Sequence, residues 1–415
     1  MAKIYHADLW GSREDKYRYL QEQDLTTIEW TEIFPQSPLY LFTPQDKDLR
    51  TEYEVGWKIT EIMPVNSTGV KTHRDHFVFD FDLSELRKRI DKFRDLSILD
   101  QEISETYELQ DTRDWKLSQR RRALKSNSDW ESYFTQCLYR PFDWRAYYHH
   151  EDVVELPRSE VMRNFVQNKN LGFITSRNVE IERIYDQVLC TSNIIDNHTL
   201  SLKEANYLFP LYIYPNTENL QGSLFASDKI ETNLSQKFVD AIKEKLGYNP
   251  TPEAIFYYIY TIFHSPTYRQ RYAEFLKGDF PRVPLISSEQ LFKDLGAKGQ
   301  ALVDLHLMKS KKLNKLITKM SGDGDNAVTE VTYKPTEQRI YINKNRYFEG
   351  IAPDVWEFKI GGYQVLDKWL KDRKKAKRTL SFDDVLHYQK VVVALKETMQ
   401  LMVEIDQLIP SFPIE

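Results

Sequence analysis

Cysteine is almost missing from this chain: 415 residues contain two, Cys137 and Cys190, and neither stands in a CxxC pair or beside a metal-type pair of histidines. A disulfide scaffold and a zinc site are not expected, and a reducing, cytoplasmic setting is. Glycine is scarce too, at 14 residues. Neither GxGxxG nor GxxxxGK[ST] occurs, so no phosphate-cradling loop is signalled. The longest apolar run, Ala254 to Phe263, is about half of what a membrane span needs, and the opening MAKIYHADLWG lacks the apolar core of a signal peptide. No membrane partner is expected. Also absent are GxSxG, HExxH and the [DNS]PP[YFW] tetrapeptide, the loop with which amino-group DNA methyltransferases hold a flipped base.

What the chain does have is bulk. Hydrophobic residues make up 41% and aromatics 13%, with 25 Tyr, 22 Phe and 8 Trp. Packed cores account for such an excess, and flat surfaces that stack on bases or fill an interface are the sharper alternative. The length suggests two or three domains.

The pattern mixes strands and helices. Lys3 to Leu9 alternates like a strand, and a charged helix is expected over Ser12 to Gln23. Leu25 to Pro44 is strand-like and broken by prolines. Leu86, Ile90, Phe93 and Leu96 recur at helical spacing, with Ser84 as the expected N-cap. Further helices are expected over Thr112 to Leu124 and Glu160 to Val166. Strands are expected around Pro141, over Asn170 to Glu180 and over Asn206 to Pro215, and two helices or more in the next forty residues. Thr251, Pro252 and Glu253 announce a helix whose body is apolar all round, hence buried. Ser265-Pro266 starts another. Thr329 to Gly350 reads as a hairpin, and Phe382 to Leu408 as a long helix capped by Ser381.

Three motifs suggest metal chemistry and fall short of it. In PDVWEFK, Asp354 and Glu357 are three apart, whereas a divalent-metal nuclease needs its carboxylates on adjoining strands. His73 and His76 could share a helix face but lack an acidic third ligand. Gly322 to Asn326 lacks the terminal Glu of a calcium loop.

The basic residues are more coherent. Lys368 to Arg378 holds seven Lys or Arg against one acid, in a chain whose formal charge is -5. Arg120 to Arg122, Arg140 with Arg145, Arg158, Arg177, and Arg269 with Arg271 form other clusters near aromatics. Lys and Arg neutralise phosphates, and Arg can read guanine edges; Gln364 could pair with adenine. Gly361-Gly362 would let backbone approach a phosphate or another chain. A solvated face before the last helix is the plainer reading of the basic strip.

Five blocks in order carry a resemblance: YRPFDWRAYY (139–148), NLGFITSR (170–177), FPLYIYP (209–215), IFYYIYTIFHSPTYRQRYAEFLKGDFPRVPL (255–285) and VWEFKIGGYQVLDKWLKDRK (355–374). They resemble the C-terminal specificity region of single-polypeptide restriction–modification enzymes of the type ISP and type IIG kinds. The opening KIYHADLWGSREDKYRYL resembles the segment that follows the last strands of the methyltransferase core in that family. The resemblance implies a mixed α/β (α+β) fold in three parts. Residues 1–30 would be a connector, 31–250 a β-rich target recognition lobe, and 251–415 a helical C-terminal lobe. It implies recognition of a short site in double-stranded DNA for phage defence. Arg177, Lys368, Lys371, Arg373, Lys374 and Lys375 would contact phosphates. Arg140, Arg145 and Gln364 would contact DNA or make structural ion pairs. Family members join this region to an N6-adenine methyltransferase and a nuclease. This sequence begins after the part that would hold the catalytic tetrapeptide, so no catalytic residue is expected in it. S-adenosylmethionine belongs to the methyltransferase part, which is the expected partner. Two alternatives stay open: a subunit that docks a separate methyltransferase, and a nuclease at Asp354, Glu357 and Lys359.

Overall fold

Ser12 and Asp46 each accept a hydrogen bond from the backbone N–H three residues on, at 3.1 and 3.0 Å, and so start the first two helices, Arg13–Glu22 and Lys47–Glu54. The computed structural model describes residues 3–35, 40, 42–44, 46–180, 183–215 and 229–414. The chain divides into two units, Met1–Val55 and Gly56–Glu415. In the first, strand Ile4–His6 pairs antiparallel with Thr31–Ile33. The expected strand character of Leu25 to Pro44 is met at Thr31–Ile33, while positions 36–39 and 41 lie outside the described residues. Helix Arg13–Glu22 buries no side chain.

The second unit is mixed α/β, with several small sheets and apolar helices. One sheet runs Ile194–Ile195, Phe134–Arg140, Asp143–Tyr148, Phe79–Asp80. Its centre is the hairpin that the sequence places around Pro141, turning at Phe142 with φ +57°. A second sheet runs Ser67–Thr68, Asn206–Pro210, Gly172–Ser176, Val188–Thr191. Every residue of its last two strands is buried; the first of them falls within the expected strand Asn170 to Glu180, and the second was not anticipated. Helix Pro252–His264 covers it. Phe173 meets Phe256, Tyr260 and Phe263 with ring centroids 6.4, 6.3 and 5.5 Å apart. That aromatic seam joins the expected recognition and C-terminal lobes within one compact unit.

Helix Glu289–His306 lies against Pro252–His264 at glycine distance: a Cβ on Gly299 would stand 2.0 Å from the Tyr257 carbonyl oxygen. Beside this contact the Tyr260 hydroxyl and His306 Nδ1 are 2.5 Å apart, and His306 Nε2 is 2.9 Å from Thr398 Oγ1 of the C-terminal helix. That helix, Phe382–Leu408, opens with a capping box between Ser381, its expected N-cap, and Asp384. A third sheet, Lys319–Ser321, Tyr347–Glu349, Arg339–Tyr341, Thr332–Lys334, contains the expected hairpin and adds two strands.

Helix boundaries depart from expectation in three places. Asp82, not Ser84, holds the N-cap position of helix Leu83–Arg94. The next expected helix begins at Leu117 rather than Thr112, because Thr112 and Trp115 close a turn and Asp111 accepts the Leu117 N–H at 2.9 Å. The helix expected over Glu160 to Val166 is the single turn Ser159–Met162. After Pro215, positions 216–228 lie outside the described residues; beyond them come helix Gln236–Leu246 and then Pro252–His264.

Candidate nucleic-acid interface

The basic strip forms helix Val365–Lys375 and the turn after it. Two faces of the helix behave differently. Val365, Leu366, Trp369, Leu370 and Arg373 are buried, whereas Lys371, Lys374, Lys375 and Lys377 are exposed. Among the described residues, Lys374, Lys375 and Lys377 make no ion pair. Lys371 has a side-chain exposure of 61% and reaches Asp367 at 2.7 Å, a surface pair worth little and easily exchanged for a phosphate.

Arg373 departs from the expectation. Its guanidinium points inward, 2.7 Å from Asp143 Oδ1, and lies 3.5 Å over the Trp369 ring. At 4% exposure it braces the helix and is not placed to meet a phosphate. Arg145 donates to Asp143 Oδ2 at 2.8 Å and reaches Asp372 at 3.2 Å, with its guanidinium 4.0 Å from the Tyr139 ring. One strand and a helix are thus riveted through one carboxylate. Burial alone would raise the Asp143 carboxyl, but the Arg373 and Arg145 guanidiniums hold it down to about 2. Arg140 pairs with Asp196 at 2.6 Å; burial disfavours its cation, and Asp196 more than offsets this, pushing the guanidinium above its ordinary range. Arg140 and Arg145 both make largely buried ion pairs. Lys368 is held to Asp372 at 2.5 Å. Gln364 stands at the N-cap position and donates from Nε2 to the Trp356 carbonyl at 2.6 Å, so its amide already serves the chain's own backbone.

Arg177 lies apart from the helix. It follows strand Gly172–Ser176, is 61% exposed and contacts Asp279 at 3.1 Å, a carboxylate that Lys58 shares at 2.7 Å. Gly361 and Gly362 form the two-residue turn between Lys359–Ile360 and Tyr363–Gln364, with Gly361 at φ +60°. A Cβ there would stand 2.2 Å from the Leu200 carbonyl oxygen. The close approach is to the chain's own loop.

The metal-like motifs separate. His73, at φ +55°, lies 3.1 Å from Glu155, while His76 bonds the Tyr107 carbonyl at 2.9 Å. Asp354 and Glu357 sit exposed on the short helix Pro353–Glu357, not on a strand. Among the described residues no group of three or more His, Cys, Asp or Glu could hold a metal ion, and no helix is long and apolar enough to cross a membrane. A cleft of about 570 Å³ is lined by Glu180, Arg183, Asp186, Lys203, Lys359 and Tyr363 among others.

One exposed basic segment escaped the sequence reading. Lys309 to Lys319 holds five lysines and no acid, and all five are exposed. That density was the available signal.

With its pinned, lysine-bearing helix and its aromatic-sealed sheets, the chain belongs to the type ISP C-terminal specificity domain family, whose model matches residues 61–404. Solved structures share the fold. The chain is similar to LlaGI, a type ISP restriction–modification enzyme solved as a nuclease-deletion mutant in complex with a DNA substrate mimic, at TM-score 0.70 and 20% identity, covering 100% of this chain and 39% of that one. It is similar to DrdV in a DrdV–DNA complex, at TM-score 0.72 and 19% identity, covering 97% and 43%. It is similar to the ATP-dependent type ISP enzyme LlaBIII bound to DNA, at TM-score 0.70 and 19% identity, covering 93% and 26%. The chain therefore spans less than half the length of each. No curated protein matches it.

Proposed function

We propose that this chain is the part of a restriction–modification enzyme that recognises a short sequence in duplex DNA. One observation carries the reading: a specificity-domain match over residues 61–404 on a fold shared with proteins solved on DNA. The geometry supports a division of labour. The pairs Arg373–Asp143 and Arg145–Asp372 pin helix Val365–Lys375, while Lys371, Lys374 and Lys375 project from it. The exposed lysines fix position on phosphates, and other side chains read bases. Arg177, exposed on its own loop, is a further phosphate contact. Methyl transfer and cleavage, with S-adenosylmethionine, fall to a methyltransferase and nuclease part outside the sequence described here.

The test is a salt titration of the variant with Lys371, Lys374 and Lys375 all changed to Ala. Each phosphate contact contributes about 0.9 to the slope of log affinity against log salt, so the slope should fall by about 2 to 3 while binding to all duplex sequences weakens alike. An unchanged slope would remove this helix from the interface.

Docking of a separate N6-adenine methyltransferase is a second reading with its own observation. Among the described residues, ten of the twenty-one exposed large apolar side chains lie in Met1–Val55, including Trp10, Leu25, Phe34 and Phe42. A unit that buries so little of its apolar surface suits a protein partner. Co-purification with a methyltransferase polypeptide, lost in a Trp10→Ser/Phe34→Ser variant, would support it; equal recovery of that variant would count against it.

A further inference from the structure

The segment Lys309–Lys319 is built differently from a solvated lysine run. Its backbone is anchored at both ends and in the middle. The N–H groups of Lys309 and Ser310 donate to the Asp304 carbonyl at 2.8 and 3.0 Å. Leu313 is buried, and the Thr318 hydroxyl donates to the Glu349 carbonyl at 2.6 Å. Gln389 of the C-terminal helix donates to the Thr318 carbonyl at 2.7 Å. Two of the five lysines are tied down as well: Lys312 to Glu397 at 2.5 Å and Lys319 to Glu349 at 2.9 Å.

The other three, Lys309, Lys311 and Lys315, are exposed and make no ion pair among the described residues. A mobile run could spread its charges apart. This one cannot, because the backbone is pinned on either side of them. Like charges held together raise each other's energy, and an anionic partner relieves that. Leu316 and Ile317 stand exposed among the lysines, so the surface is not simply polar.

We propose that Lys309, Lys311 and Lys315 form a second phosphate-binding strip for duplex DNA, distinct from helix Val365–Lys375. This rests on the DNA-recognition reading and extends it to residues outside the basic strip near the C-terminus. The C-terminal helix runs past both strips. Trp369 of the first strip packs against His387 and Tyr388 of that helix, while Lys312 pairs with Glu397, nine positions beyond Tyr388. At 1.5 Å per residue that is about 14 Å along the helix. Both strips are thus held against one rigid element.

The test uses the full chain with Lys309, Lys311 and Lys315 changed to Gln, titrated with a mixed-sequence duplex at several salt concentrations. Since none of the three holds the fold, the thermal unfolding midpoint should match that of the unaltered protein. The slope of log affinity against log salt should drop by about 2 to 3. Combined with the alanine changes at Lys371, Lys374 and Lys375, the two losses should add. If the unaltered protein binds with a steep slope and the glutamine variant binds identically, the second strip is refuted. If the unaltered protein shows no salt-dependent binding, the DNA-recognition reading itself falls, and the strip with it.

Discussion

Asp143 shows how much of the site rests on single side chains. It is buried, and its two oxygens face Arg373 at 2.7 Å and Arg145 at 2.8 Å. Removing one partner of such a network leaves an unpaired buried charge, so Asp143→Asn should destabilise the protein by about 3–5 kcal/mol, read as a lower urea midpoint. A midpoint within error of the unaltered protein would mean that the two arginines find other partners. The sign of the linkage follows from its depressed carboxyl. With a folded pKa of about 2 against about 3.9 unfolded, Asp143 contributes stability that is fully present above about pH 4 and lost as pH falls through 2. The partners in these pairs were not legible in the sequence. Arg140, Arg145 and Arg373 stand out there as cations, but Asp196 is 56 positions from Arg140 and Asp372 is 227 from Arg145. One sequence shows which residues are charged. Folding decides which charges meet, and so which lysines remain for a ligand.

At the level of elements, the sequence was most readable where local rules and packing agree. Thr251-Pro252 starts a buried helix, and Ser381 with Asp384 starts the long one. Both bury apolar faces whose spacing is visible. Boundaries set by a turn, as at Thr112–Trp115, were not readable, because nothing in the spacing marks which hydroxyl bonds which N–H. Nor was the polar contact these helices enclose. His306 touches Tyr260 and Thr398, and burial pushes its imidazole down to about 3. Burial, with the nearby Arg269 cation, depresses His264 as well. A histidine kept neutral in the fold takes up a proton more readily when unfolded. These groups therefore stabilise the fold fully above about pH 6.5, and that stability is lost as pH falls towards their folded values. Thermal unfolding should come at lower temperature at pH 5 than at pH 7, and His306→Gln should narrow the gap. A gap as wide in the variant would assign the acid sensitivity to other groups.

Across the whole molecule the charges are unevenly spread. A formal net charge of -5 coexists with seven basic residues in Lys368–Arg378 and five lysines in Lys309–Lys319. Beyond about 8–10 Å fields are screened at cellular salt, so a ligand at either strip meets the local charge and not the total. The family was legible because its ordered blocks are long and mostly core. The same blocks build the aromatic seam around Phe173 and the riveted hairpin at Asp143. Residues that would read bases were not legible, since a solvent-facing side chain leaves no periodic trace in one sequence. The most direct measurement is a selection of bound duplexes from a random pool by the purified chain, at low and moderate salt. Enrichment of one short sequence, surviving at moderate salt, is the expected result. Recovery of an unchanged pool, at a salt where the protein still binds, would contradict sequence-specific recognition and leave only a phosphate-binding surface.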